Sequence, residues 1–200
     1  MNKRLLDGTF IGSTTAPIVI EFFWDYCCPF SAKSFKMIYN QVFPMAESCY
    51  PGEFKFVFRH QVQPWHPQSA MLHEAGIAVR MIEPSLFFNY SQLLFEHQYE
   101  FFDDATYYLS RSQIYSNLVD LAKEIGIDGD KMTTLLAYKD IPESHNSGNE
   151  VTDALKVFIR FGRRQGIHTS PTVVINGLED VSVQSSWDLE TWKIHLSKLL

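Results

Sequence analysis

The sequence predicts an α/β fold that carries an inserted block of helices, and three features lead there. An apolar strand pattern, a helical pattern and a second strand pattern follow one another within the first third of the chain. The middle of the chain then shows only helical periodicity. Strand patterning returns near the end, broken by Asn176-Gly177, before one last amphipathic helix.

The elements follow in order. Residues 8–12 read as a short opening strand and 13–17 as a turn. Ile18-Val19-Ile20-Glu21-Phe22-Phe23 is apolar and rich in β-branched and aromatic residues, the signature of a buried strand. Residues 32–46 place Phe35, Ile38, Tyr39, Val42 and Phe43 at spacings of three and four, so a helix is expected there. After the Pro51-Gly52 turn, residues 53–60 alternate as a second strand. A strand, a helix of about 15 residues and a strand make a right-handed βαβ unit with parallel strands.

From Gln63 the pattern changes. Residues 63–69, with Pro64 and Pro67, form a rigid loop, and a helix then starts at Gln68 or Ser69 and runs to Ile82. Pro84 opens an aromatic helix over 85–98, and Asp103-Asp104-Ala105-Thr106 reads as a polar break. A helix over 112–125 ends at Gly126, a glycine placed to cap it. A shorter helix spans 128–138, and 141–149 is a polar connection. Residues 151–164 are helical up to Gly166. Thr172 to Ile175 is a strand, Asn176-Gly177 a two-residue hairpin turn, 179–183 the returning strand and 187–200 the closing helix. The expected organisation is a discontinuous α/β unit, 1–62 with 150–200, holding an inserted helical unit, 63–149. Repeats and low-complexity tracts are absent.

Composition narrows the function. With 46% hydrophobic and 20% charged residues, the chain is globular rather than disordered. Sixteen phenylalanines point to a core built from rings. A net charge of −6 and a pI near 5.6 argue against nucleic acid or an anionic membrane as partner. No apolar run is long enough to span a bilayer. Met1 to Gly8 has the basic start of a secretory leader without the apolar stretch behind it, so a cytoplasmic location is expected, while a mature form freed of its leader stays open. Three cysteines do not make a disulfide framework. Cys27 and Cys28 are neighbours, and Cys49 lies on the order of 25–30 Å from Cys28 along a helix, beyond disulfide reach.

The chemistry concentrates at Trp24-Asp25-Tyr26-Cys27-Cys28-Pro29-Phe30-Ser31. Pro29 suits a first helical position, where its missing N–H costs nothing. Cys28 then sits where free backbone N–H groups and the positive end of the helix dipole converge, a setting that favours the nucleophilic thiolate. Free cysteines are more often buried apolar fillers. The order strand, cysteine, proline, helix favours the reactive reading here.

Asp25-Tyr26-Cys27-Cys28-Pro29-Phe30-Ser31 resembles the active-site segment of the DsbA-like branch of the thioredoxin superfamily, whose members carry Cys-Pro-x-Cys after an apolar strand. Glu21 resembles the acidic residue those proteins hold beneath the thiol. Two departures stand out. Ser31 replaces the second cysteine, and Glu21 precedes Cys28 by seven residues where six is usual. Counting from Glu21 selects Cys27 instead, but Pro29 and Ser31 then fall out of register, so Cys28 is taken as the nucleophile. Thr169-Ser170-Pro171-Thr172-Val173-Val174-Ile175-Asn176-Gly177 resembles the segment with which the superfamily sets a cis-proline opposite the thiol. The resemblance implies that the backbone of Ser170 binds an extended ligand, a peptide or glutathione.

A thioredoxin-like fold with a helical insertion follows from this resemblance, together with a set of roles. Cys28 and Ser31 are the expected catalytic pair, and Glu21, Asp25, Cys27, Pro29 and Phe30 support them. Ser170 and Pro171 are the expected substrate-binding residues. Ser31 cannot close an internal disulfide, although its hydroxyl could hydrogen-bond the Cys28 sulfur. The expected activity is thiol–disulfide exchange through a mixed disulfide that an external thiol resolves, as monothiol glutaredoxins do. Glutathione is the candidate co-substrate, and no cofactor is expected to be tightly bound. Kappa-class glutathione transferases carry similar Asp-x-x-Ser-Pro-Tyr-Ser turns, which makes conjugation or isomerisation the second reading. Redox-inactive peptide binding is the third. His60, His66, His73 and His97 show no metal-ligand spacing and are expected at the surface or in loop packing, with Trp65-His66 able to overhang the thiol. Asp25 is equally a site acid or a cap. The oligomeric state is left open.

Overall fold

The computed structural model describes residues 9–200; the basic start at Met1 to Gly8 lies outside them. Strands β1 (Phe10–Gly12), β2 (Ile18–Trp24), β3 (Phe54–His60), β4 (Thr172–Ile175) and β5 (Leu178–Glu179) form one mixed sheet in the order β1-β3-β2-β4-β5. The central strand β2 runs parallel to β3 and antiparallel to β4. Its apolar run, broken only by Glu21, suits a strand covered on both faces. β1 is antiparallel to β3, which makes the sheet mixed.

The β2–β3 crossover is helical from Pro29 to Cys49, and it is not uniform. Helix α1 (Pro29–Met37) passes into a π turn (Ile38–Val42) and then α2 (Phe43–Cys49). Pro44 explains the change: it has no N–H to donate, and its ring crowds the carbonyl one turn back. The expected single helix over 32–46 therefore continues at both ends but widens in the middle.

The inserted helices are α3 (Ser69–Ile82), α4 (Phe87–Glu96), α5 (Asp103–Thr106), α6 (Arg111–Glu124) and α7 (Gly129–Leu136). The returning unit adds α8 (Thr152–Arg164) and α9 (Leu189–Ser197). Three expectations need correction. Residues 85–98 are not one helix: Glu83 accepts hydrogen bonds from Ser85, and the chain enters α4 through a 3₁₀ turn over Pro84–Leu86. The polar stretch 103–106 is helical, its two aspartates favourably placed in the first turn. The returning strand stops at Glu179, because Asp180 accepts from the Ser182 amide and hydroxyl and curls the chain away. Asn176 and Gly177, with φ of 47° and 85°, make the tight turn before it.

The core is built from rings. Phe35 packs against Phe95 at 4.8 Å and Trp24 at 5.2 Å, with Phe58 and Phe88 also in contact range. Phe22 stacks on Trp24 at 4.6 Å and meets Trp192 of α9 at 6.0 Å. One continuous apolar cluster therefore joins the sheet to the helical block. Phe23, Ile167 and Val174 form a smaller cluster with Phe161 on the opposite face of the sheet. Phe35 belongs to α1 but touches α4, so truncating it opens a cavity at the junction. Phe35→Ala is expected to lower stability by about 3–5 kcal/mol without changing the denaturant slope, measured by urea unfolding.

Candidate active site

The thiol turn is set between the end of β2 and α1. Cys28 is the N-cap of α1 in extended conformation (φ −86°, ψ 119°), and Pro29 follows as the first helical residue. The Cys28 carbonyl accepts the Ala32 N–H at 3.0 Å, closing the first helical turn. Its sulfur donates to the Ser170 carbonyl at 3.3 Å, and the Ser170–Pro171 peptide is cis. β4 begins at the next residue, so pairing of β4 with β2 carries this segment to the thiol. The Ser170 hydroxyl is buried there without a hydrogen-bond partner. Phe30, beside the thiol, is 65% exposed.

Ser31 is fully buried, and its oxygen accepts the Asp25 N–H at 3.2 Å. That bond takes the place of the expected contact with the Cys28 sulfur. Ser31 holds the turn that presents the thiol. Cys27 points into the protein, and its N–H donates to the Asp25 carboxylate at 3.0 Å. Burial pushes the Cys27 thiol well up, and the negative charges of Asp25 and Asp103 add to this. Of the two adjacent cysteines, Cys28 therefore holds the helix-cap position and Cys27 is kept protonated.

Glu21 does not stand free beneath the thiol. Its carboxylate forms a close ion pair with Arg59 of β3, whose guanidinium lies 4.7 Å from the Phe161 ring centroid. The acid nearest the turn is Asp25, which is fully buried. One of its oxygens accepts from Cys27 N–H and from the Ser69 hydroxyl at 2.6 Å. The other takes the Gln63 N–H at 3.3 Å and His66 Nδ1 at 2.7 Å. Burial alone would raise this carboxyl, but His73, Ser69 and His66 outweigh it and hold it below the usual range. Asp25 thus both caps the turn and serves as the buried acid of the site.

Two of the histidines are placed otherwise than expected. His60 and His73 are fully buried and share a hydrogen bond between their Nδ1 atoms at 2.8 Å. His73 also lies 3.7 Å from Asp25. Burial, with His73, Arg80 and Arg59 nearby, drives the His60 pKa well down. His66 contacts Asp25, while Trp65 is 59% exposed. Gln98 reaches in from the helical block, its amide donating to the carbonyls of Tyr26 at 2.9 Å and Cys28 at 3.4 Å. Sequence reasoning gave no role to Ser69, His73 or Gln98; only the proximity of Ser69 to the proline-bracketed loop hinted at one.

Elsewhere, a cavity of about 540 Å³ between α6 and α7 is lined by Arg111, Tyr115, Val119, Lys123 and Leu136. It includes none of the residues of the thiol turn. Among the described residues no group of His, Cys, Asp or Glu is arranged to hold a metal ion, and no helix is long and apolar enough to cross a membrane.

A cysteine at a helix start, set against a cis-proline at the mouth of a central strand, places this chain among thioredoxin-like α/β proteins. A family model described as Thioredoxin matches residues 5–193, and the chain belongs to that family. Comparison with curated proteins gives no match. Solved structures with the same fold include a Pseudomonas syringae protein provisionally assigned as a protein-disulfide isomerase. It is 21% identical with a TM-score of 0.76, over 96% of this chain and 99% of that one. BdbD from Bacillus subtilis is similar at 21% identity and a TM-score of 0.65, over 96% and 93% of the two chains. The thiol-disulfide exchange protein alpha-DsbA2 from Wolbachia pipientis is 19% identical with a TM-score of 0.64, over 96% and 86%. The fold is that of the DsbA-like branch.

The buried histidine gives the site a pH signature. A folded-state pKa below the unfolded value near 6.5 means that the unfolded chain takes up a proton which the folded chain refuses. Stability from this source is complete above about pH 6.5 and falls as pH drops toward the folded value, by up to about 1.4 kcal/mol per pH unit. Asp25, lowered in the fold, adds a second loss beginning only near pH 4. His60→Phe, which suits the surrounding Phe58, Phe87 and Phe158 rings, is expected to flatten the dependence between about pH 5 and 6.5. Urea unfolding at a series of pH values measures it; an unchanged slope would assign the loss to other groups.

Proposed function

We propose that this chain is a thiol–disulfide oxidoreductase of the monothiol kind, acting through a mixed disulfide on Cys28. The observation that carries this reading is the Cys28 sulfur at 3.3 Å from the carbonyl of Ser170, beside the cis peptide to Pro171. The unpartnered Ser170 hydroxyl supports it, because a buried polar atom without a partner costs free energy that a ligand can recover. The named activities of the proteins with the same fold, disulfide isomerisation and thiol–disulfide exchange, point the same way.

The chemistry proceeds in two exchanges. The Cys28 thiolate attacks a disulfide, forms a mixed disulfide and expels one thiolate. Ser31 has no sulfur with which to displace the product, Cys27 is turned inward, and Cys49 is free and exposed at the far end of α2. An external thiol, with glutathione as the leading candidate, then attacks the substrate sulfur and releases Cys28.

Incubation with oxidised glutathione, read by intact mass, tests the proposal. One glutathione per chain is expected, lost in Cys28→Ala and retained in Cys27→Ala. Conjugation of an electrophile to glutathione by a protein that never forms this adduct would favour the transferase reading. Binding of extended peptides with no thiol dependence would favour the redox-inactive one.

Ser31→Cys supplies the missing second thiol on the first turn of α1. It is expected to form an internal disulfide under mild oxidation, counted as the loss of two free thiols, and to gain insulin-reducing activity. The lost acceptor for the Asp25 amide should cost about 1 kcal/mol. A variant that keeps all its thiols free would place Cys28 and position 31 outside bridging geometry.

A further inference from the structure

The cavity between α6 and α7 takes no part in the thiol chemistry, yet at about 540 Å³ it has the size of a small-molecule site. Only residues 125–128 join the two helices, so they pack as an antiparallel hairpin. Tyr115, Val119 and Leu136 line the cavity and are themselves buried, which gives it an apolar floor. Ser116 of α6 and Thr133 of α7 stand exposed on its two rims. Arg111 and Lys123 line it as well, near the two ends of α6. At 1.5 Å per residue the groove between them is about 18 Å long.

The two ends differ in charge. Lys123 is held by Asp120 at 2.8 Å, which offsets its ammonium. At the other end the Arg111 guanidinium lies over the Tyr115 ring, 5.3 Å from its centroid. Nε and Nη2 of Arg111 donate to the Tyr115 hydroxyl at 3.3 and 2.9 Å, and Nη2 also reaches Glu74 at 3.4 Å. Glu74 is buried and takes Tyr115, Asn149 and Thr152 as further donors, so Arg111 is only one of four groups that share its charge. Nη1 of Arg111 has no hydrogen-bond partner among the described residues, and the side chain is 57% exposed. Two N–H groups of a permanent cation are thus left for a ligand.

We propose that this groove binds a single-chain fatty carboxylate, its head on Arg111 and its chain laid over Tyr115, Val119 and Leu136 toward Lys123. A long apolar floor suits a linear chain. The open side of the guanidinium suits a carboxylate, and the offset charge at the far end suits an uncharged tail. The site is separate from Cys28 and stands whether or not the monothiol reading does.

Isothermal titration of the full chain with octanoate, decanoate, dodecanoate and tetradecanoate, each below its micelle concentration, tests the proposal. One site per chain is expected. Affinity should rise about fourfold for each methylene buried and level off once the chain outruns the groove. Dodecyltrimethylammonium, with the same chain and the opposite charge, should bind at least about tenfold more weakly than dodecanoate. Arg111→Gln should erase that preference and keep the dependence on chain length. Lys123→Gln should change dodecanoate affinity by less than about twofold, as expected for an exposed pair. Ser116→Trp and Thr133→Trp plug the groove from opposite rims at exposed positions, and either should abolish binding. Equal affinity for the anion and the cation, no dependence on chain length, or full binding by both plugged variants overturns the assignment. Naphthalene-2-carboxylate bound as tightly as dodecanoate would overturn the linear chain in favour of a compact aromatic acid. A dimer in sedimentation that Ser116→Trp dissociates would overturn it in favour of a second copy of this chain.

Discussion

The buried carboxylate of Asp25 is the constraint on which the site depends. A negative charge with no exposed surface is tolerated only when donors surround it, and here they come from two pieces of chain, the thiol turn and the proline-bracketed stretch 63–69. Cys27 supplies a backbone N–H from the thiol turn, Gln63 another from the loop after β3, Ser69 a hydroxyl from the start of α3, and His66 its ring. Removing any one leaves the charge less satisfied, so each of these segments is held in place by the same atom pair. The proline-bracketed loop is rigid for this reason as much as for its prolines. Its sequence gives it no packing periodicity; its conformation comes from the ion it must solvate.

The helical block contributes to the same turn from the other side. Tyr26, fully buried, donates or accepts at 2.7 Å with Ser91 of α4, and its hydroxyl lies so close to α3 that a side chain on Gly76 would stand 3.0 Å from it. Gln98 donates to the carbonyls on either side of Cys27. Three of the residues between β2 and α1 are therefore fixed by groups the inserted segment provides. The continuous aromatic core between sheet and insertion makes those contacts stiff. The insertion thus forms one wall of the thiol site, and a change in its packing would be felt at the sulfur.

The parts that sequence reading found are those written in local patterns. The β2–α1–β3 unit, the Cys28-Pro29 helix start and the Pro171 strand start all depend on neighbours within a few residues, and periodicity or a proline exposes them. Partners set by register or by long-range packing left no such mark. The Glu21–Arg59 pair arises because β2 and β3 are parallel with Phe23 opposite Arg59, an alignment that neither strand specifies alone. His60 and His73 were expected at the surface or in loop packing, since no local pattern marks a buried histidine, and only tertiary packing brings their Nδ1 atoms to 2.8 Å. Ser31 lies on the first helical turn as the sequence suggests, yet its oxygen serves the Asp25 amide, a contact fixed by how the turn closes in three dimensions.

The resting thiol itself links binding to chemistry. While Cys28 is protonated, its sulfur donates to the Ser170 carbonyl and occupies that acceptor. A thiolate has no proton to donate, so in the reaction proposed above the carbonyl is released when Cys28 becomes the nucleophile. The freed acceptor and the unpartnered Ser170 hydroxyl then lie side by side next to the charged sulfur. A ligand with a backbone N–H beside its disulfide can satisfy the carbonyl, whereas one without it leaves a polar group unpaired at a cost of about 1–3 kcal/mol. On the function proposed above, that exchange of hydrogen bonds favours a disulfide flanked by a backbone N–H. It works only because neighbouring groups are already engaged: Ser31 by Asp25, Glu21 by Arg59, and Cys27 by its burial.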